Sequence, residues 1–220
     1  MIVTLSDGWR EWYTETMGLD FGKVCVIPTP IKLPARSEIT HGGDFFYSGL
    51  MGHRKGTFEL IRAWAKIPIN LRMGCTLHMI GNGEVSKAKK LVNQLQISDS
   101  CIIHGWVSEE EKISLIRESG VYILPSHNEG LPMGLLEAMA WGLVPISSNV
   151  GAIPETITDG VNGFLIEAGK IDQISSSIIQ IMENSHQLEE MSKKARATAE
   201  KHDWSKYLLS LTKTWDEIVN

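Results

Sequence analysis

Glu129 and Glu137 are two carboxylates with seven residues between them, and they flank the turn Gly130-Leu131-Pro132-Met133-Gly134. Gly130, Pro132 and Gly134 suit a tight backbone path that leaves N–H groups pointing outward at the start of a helix. Such a start attracts anions, because its first N–H groups have no intrahelical partner and the helix dipole is positive there. Glu137 falls within the apolar run Leu135-Leu136-Glu137-Ala138-Met139-Ala140. A carboxylate there is costly unless it meets donors. Ligand hydroxyls are one source of donors; a structural Arg or Lys is the other. Lys55 stands directly before Gly56 and a helical pattern. An ammonium at that position can neutralise a diphosphate, or it can simply remain in solvent.

The elements that must hold these residues follow from the periodicity. Short apolar runs at 44–48, 76–80, 101–104, 121–124, 144–147 and 163–166 alternate with helical patterns at 57–65, 85–95 and 108–119 and with the helix after the Glu129 turn. Ser108 and Glu111 are spaced as a capping box. Continuous apolar strands alternating with helices predict a parallel sheet covered on both faces, and right-handed crossovers make it an α/β, doubly wound, Rossmann-like sheet. From Ile171 the chain reads as helical to its end. Before the alternation come a strand at 2–5, a helix near 9–17 capped by Ser6 or Asp7, a strand at 23–27, and a proline-rich segment from Pro28 to Arg36 that reads as an ordered linker. In such a sheet ligands bind outside the carboxyl ends of the strands. The loops there carry Gly49 to Gly56 with Arg54 and Lys55, then Gly81-Asn82-Gly83, then Trp106-Val107, then the Glu129 turn, then Ser147 to Gly151. One crevice built by several loops is the expectation.

Other chemistries are disfavoured. Gly81-Asn82-Gly83-Glu84 lacks the third glycine of a dinucleotide fingerprint, because Ser86 stands there, and the next strand ends at His104 and not at an acid. The seven histidines show no H-x-x-x-H or H-E-x-x-H spacing, so no zinc site is expected. His53 and His127 are near the crevice by sequence and read as structural or solvent-exposed. A formal net charge of −5 argues against nucleic acid as a partner. Cys25, Cys75 and Cys101 are odd in number and widely spaced, which fits buried thiols in a reducing compartment. No apolar run reaches membrane-spanning length and no leader is expected, so the expected location is cytoplasmic. Two basic clusters, Lys87, Lys89 and Lys90, and Lys193, Lys194 and Arg196, read as solvated helix faces. A weak contact with an anionic membrane at its inner face is the alternative.

The text E-G-L-P-M-G-L-L-E-A-M-A-x-G at 129–142, together with 144–155 and 159–166, resembles the donor-site motif of the family 4 retaining glycosyltransferases of GT-B fold. The resemblance covers the chain nearly end to end. It maps the chain onto the second, nucleotide-sugar-binding half of that fold: residues 1–36 as a remnant of the first half with the linker, 37–201 as the Rossmann-like domain, and 202–220 as a helix crossing back to the first half. It implies a nucleotide-diphosphate sugar as ligand. Glu137 would accept hydrogen bonds from ribose hydroxyls. Glu129 and the backbone of Gly130, Leu131, Pro132, Met133 and Gly134 would hold sugar and phosphates. Lys55, with Glu129 the catalytic-site pair, would offset charge on the departing diphosphate, while Gly81, Asn82 and Gly83 would line the phosphate side and Trp106 and Val107 the base. The family's usual arginine just after the strand glycine is replaced by Leu50, and Arg54 is the candidate substitute. No D-x-D triplet is present, so no metal and no other cofactor is expected at the leaving group. The acceptor-binding half is expected elsewhere, as further sequence or a partner subunit, and the chain alone is expected to be inactive. Trp9, Trp12, Tyr13 and Met17 on the first helix and Trp204, Tyr207, Leu208, Leu211, Trp215 and Ile218 on the last form apolar faces that would meet it, or would pack on each other or the sheet. The implied activity is sugar transfer in surface polysaccharide or glycolipid assembly. The alternatives are a binding module without turnover, a sugar-nucleotide epimerase of similar shape, and a structural scaffold.

Overall fold

The computed structural model describes residues 1–35 and 42–219. Arg36, the proposed 36/37 boundary and the side chain of Ile218 lie outside the described residues. The chain runs β1 (Ile2–Thr4), α1 (Asp7–Met17), β2 (Val24–Val26), β3 (Asp44–Ser48), α2 (Thr57–Lys66), α3 (Ile69–Arg72), β4 (Leu77–Ile80), α4 (Val85–Gln94), β5 (Cys101–Gly105), α5 (Glu109–Glu118), β6 (Ser119–Leu124), α6 (Met133–Ala140), β7 (Val144–Ser148), α7 (Ile153–Thr156), β8 (Phe164–Ile166), α8 (Ile171–Glu183), α9 (Leu188–Ala199) and α10 (Trp204–Val219). The six strands from β3 onward form one parallel sheet in the order β5-β4-β3-β6-β7-β8. The order reverses between β3 and β6, and a reversal opens a crevice beyond the carboxyl ends of those two strands.

Burial explains the strand sequences. Every residue of β4, β6 and β7 is buried, whereas β5, at the edge, alternates between buried and open positions. Central strands of a parallel sheet are covered on both faces and so lose the in–out alternation. Helix α2 packs with α8 and α4, and α6 packs with α9, which covers the sheet on its two faces. At the centre Trp64 sits edge-on to Phe45, with ring centroids 5.1 Å apart. Ser6 caps α1 by accepting from the Trp9 N–H, and Ser108 caps α5 by accepting from the Glu111 N–H. Two short helices, α3 and α7, have no periodic signal and were not expected; four residues are too few to show one.

Strands β1 and β2 form a separate parallel pair. Their unit is tied to the main sheet by Glu155 of α7, whose two carboxylate oxygens accept the N–H groups of Asp7 and Gly8 at 3.1 Å each. The N-terminus of α1 thus meets a carboxylate, the favourable pairing for a helix start. At the other end the linker joins the start of α10: Ile31 donates to His202 O and Trp204 donates to Ile31 O. Each apolar helix face is partly open: Trp12 and Met17 of α1 and Trp204, Leu208 and Trp215 of α10 are exposed, while Tyr13, Tyr207 and Leu211 are half-buried and Trp9 packs against the core.

One charged cluster departs from expectation. Arg196 is not on a solvated face. It is buried and donates to Ala140 O, to Pro34 O at 3.0 Å and to Glu200 at 3.1 Å. Two backbone carbonyls needed a donor, and the guanidinium fork reaches both. Lys193 and Lys194 pair with Glu189 and Glu190 one turn earlier, and Lys87 pairs with Glu84. Among the described residues no helix is long and apolar enough to cross a membrane. All three cysteines are free; Cys101 is buried and burial pushes its thiol up to about 12, while Cys25 and Cys75 are only half-buried.

Two histidines give the fold an acid limit. Burial lowers the pKa of His104, aided by the neighbouring His78 imidazole and opposed by Glu111 and Glu118. Burial also lowers His202, against a hydrogen bond to Thr29 O. Below the unfolded value of about 6.5 the unfolded chain takes up protons that the folded chain refuses. The stability from these groups is therefore complete above about pH 6.5 and is lost as pH falls towards their lowered folded values. Urea melts should give a lower midpoint at about pH 5.5 than at about pH 7.5, and His104→Gln with His202→Asn should flatten that difference.

Candidate functional site

The switch point between β3 and β6 is built by two loops that touch through their backbones. The His127 N–H donates to Arg54 O at 2.8 Å, and the Arg54 guanidinium donates to Asn128 O at 3.3 Å. The close approach requires Gly56. Its φ is +66°, and a Cβ there would lie 2.0 Å from Pro125 O. The first loop is held from beneath by Thr57, whose hydroxyl accepts the Gly52 N–H and meets Tyr47 Oη, both at 2.9 Å. Burial pushes the Tyr47 phenol up to about 12, so it stays a neutral hydrogen-bonding group.

Against this scaffold Lys55 Nζ meets Glu129 Oε1 at 2.6 Å. Both side chains are largely buried, at 15% and 6% exposure, and Arg54 stands 4.0 Å from the other Glu129 oxygen with its own side chain open to water. Such a pair needs close geometry to offset the loss of hydration. A cleft of about 620 Å³ opens beside it. It is lined by Ser48, Gly49, Leu50 and Lys55 from the first loop, by Ile80, Gly81 and Asn82 after β4, by Trp106 to Glu109 and Lys112 after β5, and by Pro132, Met133 and Gly134 at the start of α6. Among the described residues no side chain caps α6 at Pro132, and Met133 and Gly134, whose N–H groups have no partner within the helix, lie at the cleft wall. Gly134 is needed there, since a Cβ would come within 2.9 Å of Tyr122 Oη and 3.1 Å of Ser48 Oγ.

The structure thus brings most of the expected residues to one rim. Lys55, Gly81, Asn82, Trp106, Val107, Pro132, Met133 and Gly134 line the cleft itself. Trp106 is 78% exposed, so packing does not account for it. Glu129 lies behind Lys55 and does not line the cleft. Leu131 is buried, and Gly130 is a backbone contact, its carbonyl accepting from the Ala152 N–H at 2.8 Å. Gly83 is a structural close approach, with φ +98° and a would-be Cβ 2.4 Å from Met51 O. Arg54 points to solvent past the Asn128 carbonyl.

Glu137 has the structural partner that its apolar surroundings called for. Lys112 Nζ is 2.9 Å from Glu137 Oε2 and 3.5 Å from Glu109 Oε1. Burial works against the Lys112 charge, but the bond to Glu137 and the two carboxylates outweigh it and its pKa is raised. Lys112 and Glu109 line both the cleft and a neighbouring hollow of about 670 Å³ that also holds Glu137, Arg117, Trp141 and the linker residues 32–35. Reasoning from sequence missed Lys112. Its one signal was its place a single turn into the helix after the Trp106 loop, which sets it on the same rim; nothing local names a partner 25 residues away. Tyr122 was missed as well: it is wholly buried and donates to Ser48 O at 3.2 Å, bracing the cleft floor.

A family model described as glycosyl transferases group 1 matches residues 34–198. An uncharacterized glycosyltransferase of Methanocaldococcus jannaschii is 28% identical over 169 residues, which make up 76% of this chain and 43% of that protein. The UDP-Gal:alpha-D-GlcNAc-diphosphoundecaprenol alpha-1,3-galactosyltransferase of Escherichia coli is 26% identical over 193 residues, 80% of this chain and 48% of the relative. The chain therefore spans less than half the length of these two relatives. The crystal structure of HepE from Anabaena in complex with UDP superposes with a TM-score of 0.87 at 17% identity, covering 99% of this chain and 64% of the other.

Proposed function

Because this chain belongs to the group 1 glycosyl transferases, whose family model spans residues 34–198, we propose that its cleft binds the donor, a nucleotide-diphosphate sugar, for retaining, metal-independent sugar transfer. The observation that carries this reading is the meeting of Lys55, the open start of α6 and the Gly81-Asn82 and Trp106-Val107 loops around one hollow. The diphosphate lies between the Lys55 ammonium and the free N–H groups at Met133 and Gly134, where charge develops as the bond to the sugar breaks. Trp106 offers its exposed face to the base. Glu137 does not line the cleft itself but the hollow that adjoins it at Lys112 and Glu109, and the ribose reaches across that border to the Glu137 oxygen that Lys112 does not hold. Glu129 acts through Lys55, holding the ammonium at the cleft wall. The acceptor oxygen attacks the anomeric carbon from the face the diphosphate leaves, and a diphosphate oxygen takes the acceptor's proton, so configuration is kept.

Segments 1–36 and 202–220 flank the donor domain, and the partly open faces of α1 and α10 are where the acceptor-binding part of the whole protein bears. The chain alone binds the donor without turnover. The solved complex of HepE with UDP and the galactosyl donor named for the E. coli relative support a uridine nucleotide, and that relative's lipid-linked acceptor supports a place in surface polysaccharide assembly.

Calorimetry with UDP, GDP and ADP tests the reading. The wild-type chain should bind one of them, and Glu137→Gln should weaken binding by roughly 10- to 100-fold, the value of one charged hydrogen bond. Equal affinity in Glu137→Gln, with the fold intact by circular dichroism, would remove the ribose contact and with it this orientation of the ligand.

A further inference from the structure

Beside the cleft, the two loops that carry Lys55 and Glu129 also bring together two imidazoles and a carboxylate. His53 lies in the 3-10 turn His53–Lys55, Glu59 in the first turn of α2, and His127 in the loop after β6. Glu59 Oε1 is 3.5 Å from His127 Nε2 and 4.0 Å from His53 Nε2. The candidate ligand atoms of the three residues all lie within 4.8 Å of one another. The two rings stack at 4.4 Å with 14° between their planes, so their in-plane lone pairs run side by side, and the exposed His53 ring must turn out of the stack to reach an ion held by the other two.

We infer that His53, Glu59 and His127 form a site for one divalent transition-metal ion of the Zn²⁺ or Co²⁺ kind, which clips the Lys55 loop to the Glu129 loop. The strongest support is what the cluster leaves unsatisfied. Glu59 Oε2 and His127 Nε2 are buried with no hydrogen-bond partner. Buried polar atoms almost always have one, and an orphan is costly. A cation bound between them satisfies both. Around a tetrahedral ion with bonds of about 2.0–2.2 Å, neighbouring ligand atoms stand roughly 3.3–3.5 Å apart. The His127 Nε2–Glu59 Oε1 edge already has that length, at 3.5 Å, so Oε1 is the ligand oxygen and the unpartnered Oε2 turns to the same ion as its second carboxylate oxygen. The His53 corner must close by a small amount, and its side chain, 77% exposed, is free to turn. Two imidazoles with one carboxylate suit zinc-like ions better than Mg²⁺ or Ca²⁺, which prefer all-oxygen sites. A fourth position stays open to water.

None of the three side chains lines the cleft. The ion holds loops and carries no step of the transfer, so the site stands independently of the nucleotide-sugar reading. A second cluster, Asp44, His78 and Glu118, has comparable spacing, but its groups are in use. Asp44 accepts the Thr76 N–H, His78 bonds His104 and Asp44, and Glu118 accepts from Ser114.

The test is titration of the chelator-treated chain with Co²⁺ alone, followed by visible spectroscopy and by competition with Zn²⁺. One equivalent should bind with a d–d spectrum of low coordination number and raise the melting temperature. His53→Ala, on an exposed side chain, and Glu59→Gln should each weaken binding by more than about 100-fold, beyond the roughly 10- to 100-fold loss expected of a residue that merely supports a ligand. Glu118→Gln should leave binding unchanged. No bound equivalent in the wild type overturns the site, as does equal affinity in His53→Ala and Glu59→Gln, or loss of binding in Glu118→Gln.

Discussion

Lys55→Ala is expected to cost the chain about 3–5 kcal/mol of stability, the loss seen when one partner of a buried ion pair is removed. The reason is geometric. Glu129 is left 6% exposed with no ammonium at 2.6 Å, and Arg54, 4.0 Å away and mostly in water, replaces little of it. The same change should weaken nucleotide-diphosphate binding on the order of 100-fold, since the cleft loses the Lys55 ammonium that lines it opposite the start of α6. A paired variant separates the two effects. Lys55→Gln with Glu129→Gln exchanges the ion pair for two amides that can bond each other, so most of the stability should return while the affinity does not. Urea melts and calorimetry on the three chains read both quantities. If the double variant binds nucleotide like the wild type, Lys55 has no part in meeting the diphosphate.

Gly56→Ala should destabilise by more than about 3 kcal/mol, towards the severe end for a single substitution. Left-handed backbone costs a non-glycine residue about 1–2 kcal/mol. Here the added Cβ would also lie 2.0 Å from Pro125 O, and backbone on both sides must move. The His127-to-Arg54 hydrogen bond is the first contact to open, and with it the register of Lys55 against Glu129. Gly18→Ala is the matched control. Gly18 has nearly the same φ, +65°, with nothing within 4 Å of a Cβ, so it should lose only the backbone term of about 1–2 kcal/mol. Equal losses at the two positions would mean that the loop contact is not tight.

Much of the frame was readable in advance because its signals are local. Asp44-Phe45-Phe46-Tyr47-Ser48 is a strand with the limits its apolar run suggests, and Ser108 caps α5 as its spacing with Glu111 requires. Glycines and polar residues at strand ends marked the rim of one crevice, and the sheet order puts that rim at the switch point. Trp106 shows where such reading stops: the sequence offers both packing and stacking, and only its exposure rules out packing. Arg196 shows the opposite case. Its place among lysines reads as a wet helix face, yet the carbonyls of Ala140 and Pro34 draw it inward.

The amino-acid order alone determined the alternation of strands and helices, the parallel sheet, and the loops from which a ligand site must be made. These follow from the spacing of apolar residues and from the backbone needs of glycine and proline, which act over a few positions. Tertiary structure decided the pairings: Glu129 behind Lys55, Glu137 on Lys112, Glu155 on the start of α1, and Glu59 between two histidines. A carboxylate in an apolar run announces that it needs a partner. Which cation or N–H arrives depends on strands far apart in sequence lying side by side, and no local pattern encodes that.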